Sequence, residues 1–427
     1  MKRLLQFVLK CLARATLAKY HPRIVGITGS VGKTSTKEAV AAVLARSFRV
    51  GQAPKNLNNE LGLPLAILGE YDSGYRNVLT WISILGRASK RLIRLDSTYP
   101  KILVLEYGVD HPGDMDYLLS VAQPDVGLVT AVGPTHLEFM GSIEAVAKEK
   151  AKLVTSLPAA GLAVLNVDDE WVSSLRQSIQ APVVTFGLSA QAQVRAEGVG
   201  LSYDVNSRLK GVSFKLISGG SSVPIMLAGV AGRPPVLVAL AAAAVGVSSG
   251  ISPLDIAQTL QAMRWTPGRL RLLAGVKHTT LIDDSYNSSP KALAEALEVL
   301  AGVELASGQR RWAVLGDMLE LGAESENLHQ QAGALAAQLS MDYLVMVGER
   351  SRGFARGAMS VGFNPDRIWH FAESYEAGRF VQDRLEEGDV VLIKGSQGVR
   401  CEKITKELMA EPQRAKELLV RQYKPWV

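Results

Sequence analysis

The sequence predicts an α/β protein with two doubly wound, mostly parallel sheets, one in each half of the chain. Short continuous apolar runs alternate with segments of helical spacing on both sides of a linker at Trp265–Gly268. Such alternation is typical of parallel sheets covered by helices on both faces. The 427 residues also exceed what one ordinary core accommodates. We therefore predict a leader helix at 1–22, a central α/β domain at 23–265 and a Rossmann-like α/β domain at 266–427.

The central domain opens with a strand, a glycine-rich loop and a helix. Ile24–Ile27 is a short apolar run, and Thr36–Ser47 has apolar residues at helical spacing. Three further buried strands are predicted at Ile102–Leu105, Val126–Val129 and Ala163–Leu165. The carboxyl ends of parallel strands meet at one edge of a sheet. Polar residues that directly follow these strands are therefore expected near the glycine-rich loop.

Two regions depart from this alternation of strands and helices. Residues 183–226 form short alternating segments with glycine turns, which predict a small antiparallel patch in the same domain, before an alanine-rich helix at Val236–Val247. The stretch 71–100 is interpreted as a helix at the mouth of the site, with no assigned role. Four buried strands are predicted for the C-terminal domain, at Thr280–Asp283, Trp312–Leu315, Tyr343–Val347 and Val390–Ile393.

The net charge of +6 is concentrated at the start of the chain. The first 23 residues contain six basic residues and no acid, which leaves 41 basic and 41 acidic residues in the rest. Because basic and acidic residues are equal in number there, the rest of the chain lacks the basic face that a nucleic-acid-binding protein needs. We therefore expect no nucleic-acid partner. Cys11 and Cys401 are the only cysteines, which excludes a disulfide framework or a zinc site and favours a cytoplasmic location.

Residues 1–20 are predicted to form a basic amphipathic helix. Leu5, Val8, Leu9 and Leu12 lie on one side, but the longest uncharged run is far shorter than a membrane span of about 20 residues. Two interpretations remain open. The helix packs on the following domain, or it makes a peripheral contact with an anionic membrane surface.

The loop Gly29-Ser30-Val31-Gly32-Lys33-Thr34-Ser35 carries the strongest chemical signal. Glycines after a strand let backbone N–H groups surround phosphate oxygens, and the following helix presents its positive end. Lys33 would neutralise phosphate charge and Thr34 can bind Mg²⁺. Ile27 stands where the usual spacing has a glycine, so this is a variant P-loop. We predict nucleotide phosphate binding, with a purely structural turn as the alternative.

Three residues after the strands are ambiguous by themselves. Glu106 directly follows the predicted strand Ile102–Leu105 and is either a metal ligand or a cap for the next helix. His136 follows a glycine-proline turn, and a lone histidine is more often a hydrogen-bonded polar residue than a ligand. Lys150, between Lys148 and Lys152, would ordinarily belong to a solvated helix face.

Together these motifs resemble the Mur ligase family of peptidoglycan biosynthesis, from Arg23 to about Leu408. The resemblance rests on the segments Gly26–Thr36, Leu105–Gly108, Thr135–Glu138 with Lys150, Asn166–Asp169 and Pro267–Arg269. Three segments are similar to the member that adds D-alanyl-D-alanine to UDP-N-acetylmuramoyl-tripeptide (UDP-MurNAc-tripeptide): Asn56–Pro64, Asp283–Pro290 and Leu315–Gly322.

The resemblance implies an ATP-dependent amide ligase with two Mg²⁺ ions. The P-loop residues would bind the ATP phosphates, and the metal ligands would be Thr34, Glu106, His136 and a carbamylated Lys150. Catalytic roles are implied for Lys33, His136, Lys150 and Arg269. Arg269 would reach the γ-phosphate, Asp284 the ribose and Asn287 the base. Substrate binding is implied for Asn58, Asn59 and Lys394.

The implied reaction joins D-alanyl-D-alanine to the tripeptide through an acyl phosphate, with closure of the second domain on the first. We expect a monomer. The sequence also departs from the family. Because 23 residues precede Ile24, we expect the chain to lack the usual N-terminal uridine-binding domain. Gly232–Pro235 stands where the family has a Gly-x-His-Asn segment, and Gln397 stands where it has an arginine. Two alternatives stay open: a related ligase acting on a lipid-linked precursor or polyglutamate, and a non-catalytic ATP-binding switch protein.

Overall fold

The computed structural model describes residues 2–54, 56–71, 78–423 and 426, without the side chains of residues 2 and 78. The chain forms two compact units. The first comprises Met1–Glu197, Lys215–Val223 and Leu237–Met263; the second comprises Gly198–Phe214, Pro224–Val236 and Arg264–Val427. The domain limits at 22/23 and 265/266 stay predictions.

A nine-stranded sheet begins with the parallel strands that the apolar runs predict. Its strands are β1 (Arg23–Thr28), β2 (Val50–Gln52), β3 (Ile102–Glu106), β4 (Val126–Val129), β5 (Leu162–Asn166), β6 (Val183–Gly187), β7 (Val194–Tyr203), β8 (Leu209–Ser218) and β9 (Ser221–Ala228). Their order is β2-β3-β1-β4-β5-β6-β7-β8-β9, parallel from β2 to β7. Every residue of β3 and β4 is buried, which explains their continuous apolar sequences.

Strands β7 and β8 are ten residues long and extend this sheet further than the glycine-rich sequence suggests. Gly211 lies inside β8. A Cβ atom at this position would come within 2.2 Å of the Leu227 carbonyl oxygen. The glycine therefore permits a close approach between backbones and does not end a strand.

Ten helices accompany this sheet among the described residues. They are α1 (Lys2–Tyr20), α2 (Lys33–Ala45), α3 (Gly62–Leu68), α4 (Val78–Ile93), α5 (Asp114–Val121), α6 (Leu137–Met140), α7 (Ile143–Thr155), α8 (Glu170–Ser174), α9 (Arg233–Ser248) and α10 (Pro253–Ala262). The predicted helix within 71–100 is α4, and residues 72–77 lie outside the described residues.

Helix α1 confirms the predicted leader helix. Leu9, Ala13 and Thr16 on one side are fully buried, and α1 contacts α3, α4 and α5. The interpretation that the leader helix packs on the following domain is therefore correct for this side of α1. No helix in the described part of the chain is long and apolar enough to cross a membrane.

The second unit contains a six-stranded sheet in the order β10-β11-β15-β12-β13-β14. Its strands are β10 (Arg271–Ala274), β11 (Thr280–Asp284), β12 (Arg311–Gly316), β13 (Tyr343–Val347), β14 (Ile368–Phe371) and β15 (Val390–Lys394). Its helices are α11 (Pro290–Ala301), α12 (Ser325–Gln338), α13 (Arg352–Ser360), α14 (Ser374–Arg384), α15 (Glu402–Leu408) and α16 (Ala415–Leu418). Only β10 runs antiparallel to its neighbour. The two edge strands, β10 and β14, are short and half-exposed, so their sequences lack the buried runs that identify the other four.

Candidate active site

The P-loop turns sharply between β1 and α2. Gly29 has a φ of 149° and Gly32 a φ of 79°, conformations that side chains rarely adopt. A Cβ atom on Gly29 would lie 1.9 Å from the Thr130 hydroxyl oxygen. Ile27, where the usual spacing has a glycine, is a buried residue of β1. The variant spacing therefore moves the first essential glycine to position 29.

Hydrogen bonds fasten the P-loop to the segment that follows β4. The backbone N–H of Ser30 donates to the Ala131 carbonyl at 2.7 Å, and the Gly133 N–H donates to the Ser30 hydroxyl at 3.0 Å. Thr130 donates its hydroxyl hydrogen to the Val31 carbonyl at 2.6 Å. The cradle is thus preformed in the protein alone, which reduces the ordering cost of binding an anion.

Helix α2 starts without a side-chain cap, since Gly32 occupies the capping position. An uncapped helix start, with its positive dipole end, is suited to phosphate oxygens. Lys33 reaches back across the loop and donates to the Gly29 carbonyl at 2.7 Å. Its ammonium group therefore already lies at the P-loop, as the sequence predicts, and the buried Thr34 and Ser35 follow it.

Glu106 at the end of β3 forms a buried pair with the start of α2. Its side chain is 3% exposed, and its two carboxylate oxygens accept hydrogen bonds from Thr34 Oγ1 at 3.0 Å and Asn58 Nδ2 at 2.9 Å. Asn58 approaches because Gly108 has no Cβ, which would lie 2.6 Å from Asn58 Cγ. The structure therefore brings together three predicted site residues. The alternative that Glu106 caps the next helix is wrong.

Thr34 and Glu106 suit Mg²⁺, which is usually bound by one or two protein carboxylates together with substrate phosphates. The described residues contain no group of three or more His, Cys, Asp or Glu side chains placed to hold a metal. A hydroxyl and a carboxylate beside the phosphate cradle nevertheless provide the oxygen donors that a nucleotide-bound ion needs.

Asn59 stabilises the start of a helix, whereas Asn58 contacts Glu106. Its side-chain oxygen accepts from the Gly62 N–H at 2.8 Å and so caps the start of α3. This contact fixes the segment that carries Asn58. The predicted substrate contact of either asparagine stays a prediction.

His136 lies at the same edge of the sheet, in a left-handed conformation with φ of 56°. Its Nε2 atom is 3.2 Å from a carboxylate oxygen of Asp110, a largely exposed residue four positions after Glu106. The sequence analysis missed Asp110. Its position just beyond β3 was the only available signal, because this is where strand-end ligands are expected.

Lys150 is buried in α7, with 1% of its surface exposed. Burial lowers its pKa to about 7, the Lys33 ammonium lowers it as well, and Asp110 and Glu149 oppose the shift. The solvated-face interpretation holds for the exposed Lys148 and for Lys152, which pairs with Asp116 at 2.7 Å. It is wrong for Lys150, because this side chain faces the P-loop charges.

A second group of predicted residues meets in the second unit. Lys394 Nζ lies 2.5 Å from Asp284 Oδ2 and donates to the Asn287 carbonyl at 2.9 Å. The other Asp284 oxygen accepts from the Leu270 N–H at 3.1 Å. Burial raises the pKa of Asp284, and the Lys394 ammonium opposes this rise. Lys394 therefore holds the segment that carries Asp284 and Asn287.

Arg269 stacks on Tyr286, with its guanidinium carbon 4.2 Å from the ring centroid. The guanidinium of Arg421 lies 5.6 Å from the same ring and donates to the Ser285 carbonyl at 3.2 Å. The buried Glu402 accepts from Arg421 at 2.9 Å. These three supporting residues were missed, because partners so distant in sequence leave no local pattern.

The Nε atom of Arg269 is buried and has no hydrogen-bond partner among the described residues. A buried cationic donor without a partner is costly unless a ligand satisfies it. The stacked guanidinium is therefore well suited to an anionic ligand such as a phosphate, and the γ-phosphate contact that the family resemblance implies for Arg269 stays a prediction.

Replacing Lys394 by methionine should destabilise the protein, because Asp284 loses its buried counter-charge. Breaking a buried pair typically costs about 3–5 kcal/mol. Without its ammonium partner, the folded-state pKa of Asp284 rises further above the unfolded value, so the loss should shrink as pH falls and the carboxyl becomes protonated. Urea unfolding at several pH values measures this. The double variant Lys394→Met/Asp284→Asn should be more stable than Lys394→Met; equal stability of the two would contradict the pairing.

Sequence comparisons match two successive parts of the chain to known domain types. The sequence model of the Mur ligase middle domain matches residues 27–246, and that of the Mur ligase, glutamate ligase domain matches residues 268–397. The chain is 30% identical over 409 residues to the UDP-N-acetylmuramoyl-tripeptide–D-alanyl-D-alanine ligase of Bacillus subtilis, covering 95% of this chain and 79% of that relative. The ligase of the same name from Escherichia coli is 31% identical over 389 residues, with coverage of 90% and 76%.

Solved structures agree with these relatives. MurF from Acinetobacter baumannii superposes with a TM-score of 0.77 at 25% identity, covering 94% of this chain and 79% of that chain. The MurF ligase of Thermotoga maritima in complex with ADP gives a TM-score of 0.76 at 25% identity, with coverage of 96% and 84%. The predicted fold class is confirmed.

Proposed function

The chain belongs to the Mur ligase family, and on that basis we propose that it is an ATP-dependent ligase that adds D-alanyl-D-alanine to UDP-MurNAc-tripeptide. The observation that carries the proposal is Lys150, a buried lysine whose pKa is lowered by burial and by the charge of the P-loop Lys33 and raised by the charge of Asp110. A nucleotide switch has no evident use for a second, desolvated amine at this position. A ligase that activates a carboxylate can use this amine, once it is carbamylated, as a metal ligand.

The reaction has two steps. A carboxylate oxygen of the tripeptide attacks the γ-phosphorus of ATP, forming an acyl phosphate as the bond to ADP breaks. The amine of D-alanyl-D-alanine then attacks the acyl carbon, inorganic phosphate leaves and the nitrogen loses a proton. Residues Gly29 to Ser35 orient the triphosphate, and Lys33 balances the charge that develops on its oxygens.

Two metal positions are proposed around this nucleotide. Thr34 and Glu106 would hold one Mg²⁺, and His136 with Lys150 would hold the other. The ions would neutralise charge on the phosphate oxygens and the attacking carboxylate. Asp110, 3.2 Å from the His136 ring nitrogen, would fix the orientation of the imidazole.

Lys150 is proposed to carry a carbamate. A neutral amine adds to the carbon of CO₂ and releases one proton, which turns a cation into a carboxylate-like ligand. The reaction requires the unprotonated amine. Burial supports this proposal, because a pKa near 7 leaves a large neutral fraction at physiological pH.

The second unit is proposed to bind the rest of the nucleotide. Arg269 would contact the γ-phosphate, Asp284 the ribose and Asn287 the base. Lys394, proposed for substrate binding, also holds both of these residues. Asn58 and Asn59 are proposed to lie near the nucleotide-sugar substrate.

Phosphate release tests the reaction. We expect ATP-dependent release of inorganic phosphate only when UDP-MurNAc-tripeptide and D-alanyl-D-alanine are both present, and none from a Lys33→Met variant. Lipid-linked and polyglutamate acceptors serve as competing substrates. Turnover with one of these, and none with the proposed pair, would move the assignment to another carboxylate acceptor.

Four further properties are proposed together with this activity. The protein would act as a monomer in the cytoplasm, without a nucleic-acid partner, and residues 1–20 would make a peripheral membrane contact. The absence of an acid among residues 2–23 supports the last of these.

A further inference from the structure

The outer side of α1 is apolar, although its inner side is already packed. Leu4 is 68% exposed and Phe7 63% exposed, and Cys11, Ala15 and Ala18 continue the exposed side at helical spacing. A helix that serves only to cover its own domain needs one apolar side. The second one requires a different explanation.

Helix α4 repeats this arrangement. Ile84 and Ala88 are fully buried in a cluster with Leu9 of α1, whereas Leu79 and Ile82 are 71% and 60% exposed. Ile93 and Leu95 at its end are exposed as well. Six of the fourteen large exposed apolar side chains in the described residues thus belong to α1 and the segment 78–95, which is more than scattered surface apolar residues explain.

The two helices are joined to each other. Lys19 at the end of α1 donates to the carbonyl oxygens of Arg91 and Leu92 at 3.0 Å and 2.9 Å, and Tyr20 donates to the Arg91 carbonyl at 2.9 Å. Leu5 and Trp81, near the two starts, pack against one shared cluster. The helices therefore lie side by side and form one surface, which we call the α1–α4 platform.

The platform is basic as well as apolar. Residues 2–23 contain six basic side chains and residues 78–95 contain four, and neither segment has an acid. Glu70 pairs with Arg87 at 2.5 Å and Asp96 with Arg91 at 3.3 Å. Arg3, Arg14 and Lys90 are exposed on the two helices.

We propose that the α1–α4 platform docks on an anionic lipid bilayer surface. Helices with apolar side chains flanked by Lys and Arg lie in the membrane interface, with the apolar groups among the acyl chains and the cations at the headgroups. A second copy of the chain is a poorer occupant. A two-fold contact would place the same basic surface against itself. The proposal extends the contact of residues 1–20 to α4 and does not depend on the ligase reaction.

Vesicle sedimentation of the full-length protein tests the platform. The protein should sediment with phosphatidylcholine vesicles that contain phosphatidylglycerol, and not with phosphatidylcholine alone. Each basic residue near an anionic surface contributes roughly a fivefold change in affinity. Arg14→Gln/Lys90→Gln should therefore bind at least about tenfold more weakly, and salt should weaken the wild type similarly.

Apolar variants separate docking from simple charge attraction. Phe7→Ser/Ile82→Ser should lose at least about tenfold in vesicle affinity, because these side chains would enter the acyl region. Leu254→Ser, an exposed apolar residue of α10, is the matched control and should bind like the wild type. All variants should keep ATP-dependent phosphate release in solution, so loss of docking is distinguishable from loss of the proposed activity.

Two results would overturn the proposal. One is equal sedimentation of wild type and Phe7→Ser/Ile82→Ser with anionic vesicles. The other is a lipid-free dimer, seen by sedimentation velocity, that this double variant dissociates, since the platform would then be an interface between copies of the chain.

Discussion

Lys150→Met should abolish ligase activity without harming the fold. The variant keeps the volume of a buried side chain and removes the amine that would become a metal ligand. Loss of such a ligand removes several kcal/mol of charge stabilisation, a decrease in kcat of two orders of magnitude or more. Phosphate release measures kcat. Lys148→Met, on the exposed side of the same helix, is the control and should retain wild-type activity.

Bicarbonate should reveal the chemistry of Lys150. Enzyme depleted of CO₂ should regain activity when bicarbonate is added, and less readily below pH 7, where the amine is mostly protonated. Lys150→Met should not respond. Full activity of Lys150→Met, or no effect of bicarbonate on the wild type, would exclude the carbamate.

The pH dependence of the free energy of unfolding tests the burial of Lys150 independently of activity. Burial lowers the pKa of Lys150 to about 7 in the folded chain, against 10.5 for an exposed lysine, so between these values the unfolded chain binds the extra proton. Wild-type stability should therefore rise relative to Lys150→Met as pH increases from about 7 to about 10. Urea unfolding without nucleotide or bicarbonate tests whether the stability difference between wild type and Lys150→Met rises with pH. A constant difference across this range would mean that Lys150 is not desolvated.

Glu106→Gln should produce the second large loss. The amide can keep both local contacts, because its oxygen accepts from Asn58 and its NH₂ group donates to the Thr34 hydroxyl. Only the negative charge is removed. We expect kcat to fall by on the order of a hundredfold or more, together with a higher Mg²⁺ requirement.

A magnesium titration of phosphate release measures this effect. Glu138→Gln, an exposed acid of α6, is the control and should leave the Mg²⁺ requirement unchanged. ADP binding without Mg²⁺, measured by calorimetry, should be nearly the same in Glu106→Gln and the wild type. An unchanged half-saturating Mg²⁺ concentration in Glu106→Gln would argue against the metal role.

The strands around the P-loop could be predicted because burial on both faces forces continuous apolar sequences. The same reasoning places Glu106 and His136 correctly, since parallel strands end at one edge. Lys150 could not be placed in this way. A lysine between two other lysines has the pattern of a solvated helix face, and only its family resemblance indicated otherwise.

The supporting residues were beyond sequence reasoning. Asp110 contacts His136, 26 positions away in the chain, and its position just beyond β3 is the only local feature that distinguishes it from other surface acids. Tyr286 and Arg421, which contact each other, are separated by 135 positions in the sequence. Contacts of this kind depend on how helices and strands pack, and periodicity reports only which side of each element is buried.

The Arg421 contact has a consequence for the order in which the protein matures during synthesis. The guanidinium group that backs Tyr286 and the Ser285 carbonyl comes from a residue 135 positions later. At about 5–20 residues per second, a ribosome needs roughly 7–27 s to reach Arg421 after Tyr286. Through this interval every residue of the P-loop unit has been synthesised, whereas Tyr286 still lacks the Arg421 guanidinium. The surface around Arg269 and Tyr286, which is proposed to bind nucleotide, is therefore among the last parts of the molecule to reach its final form.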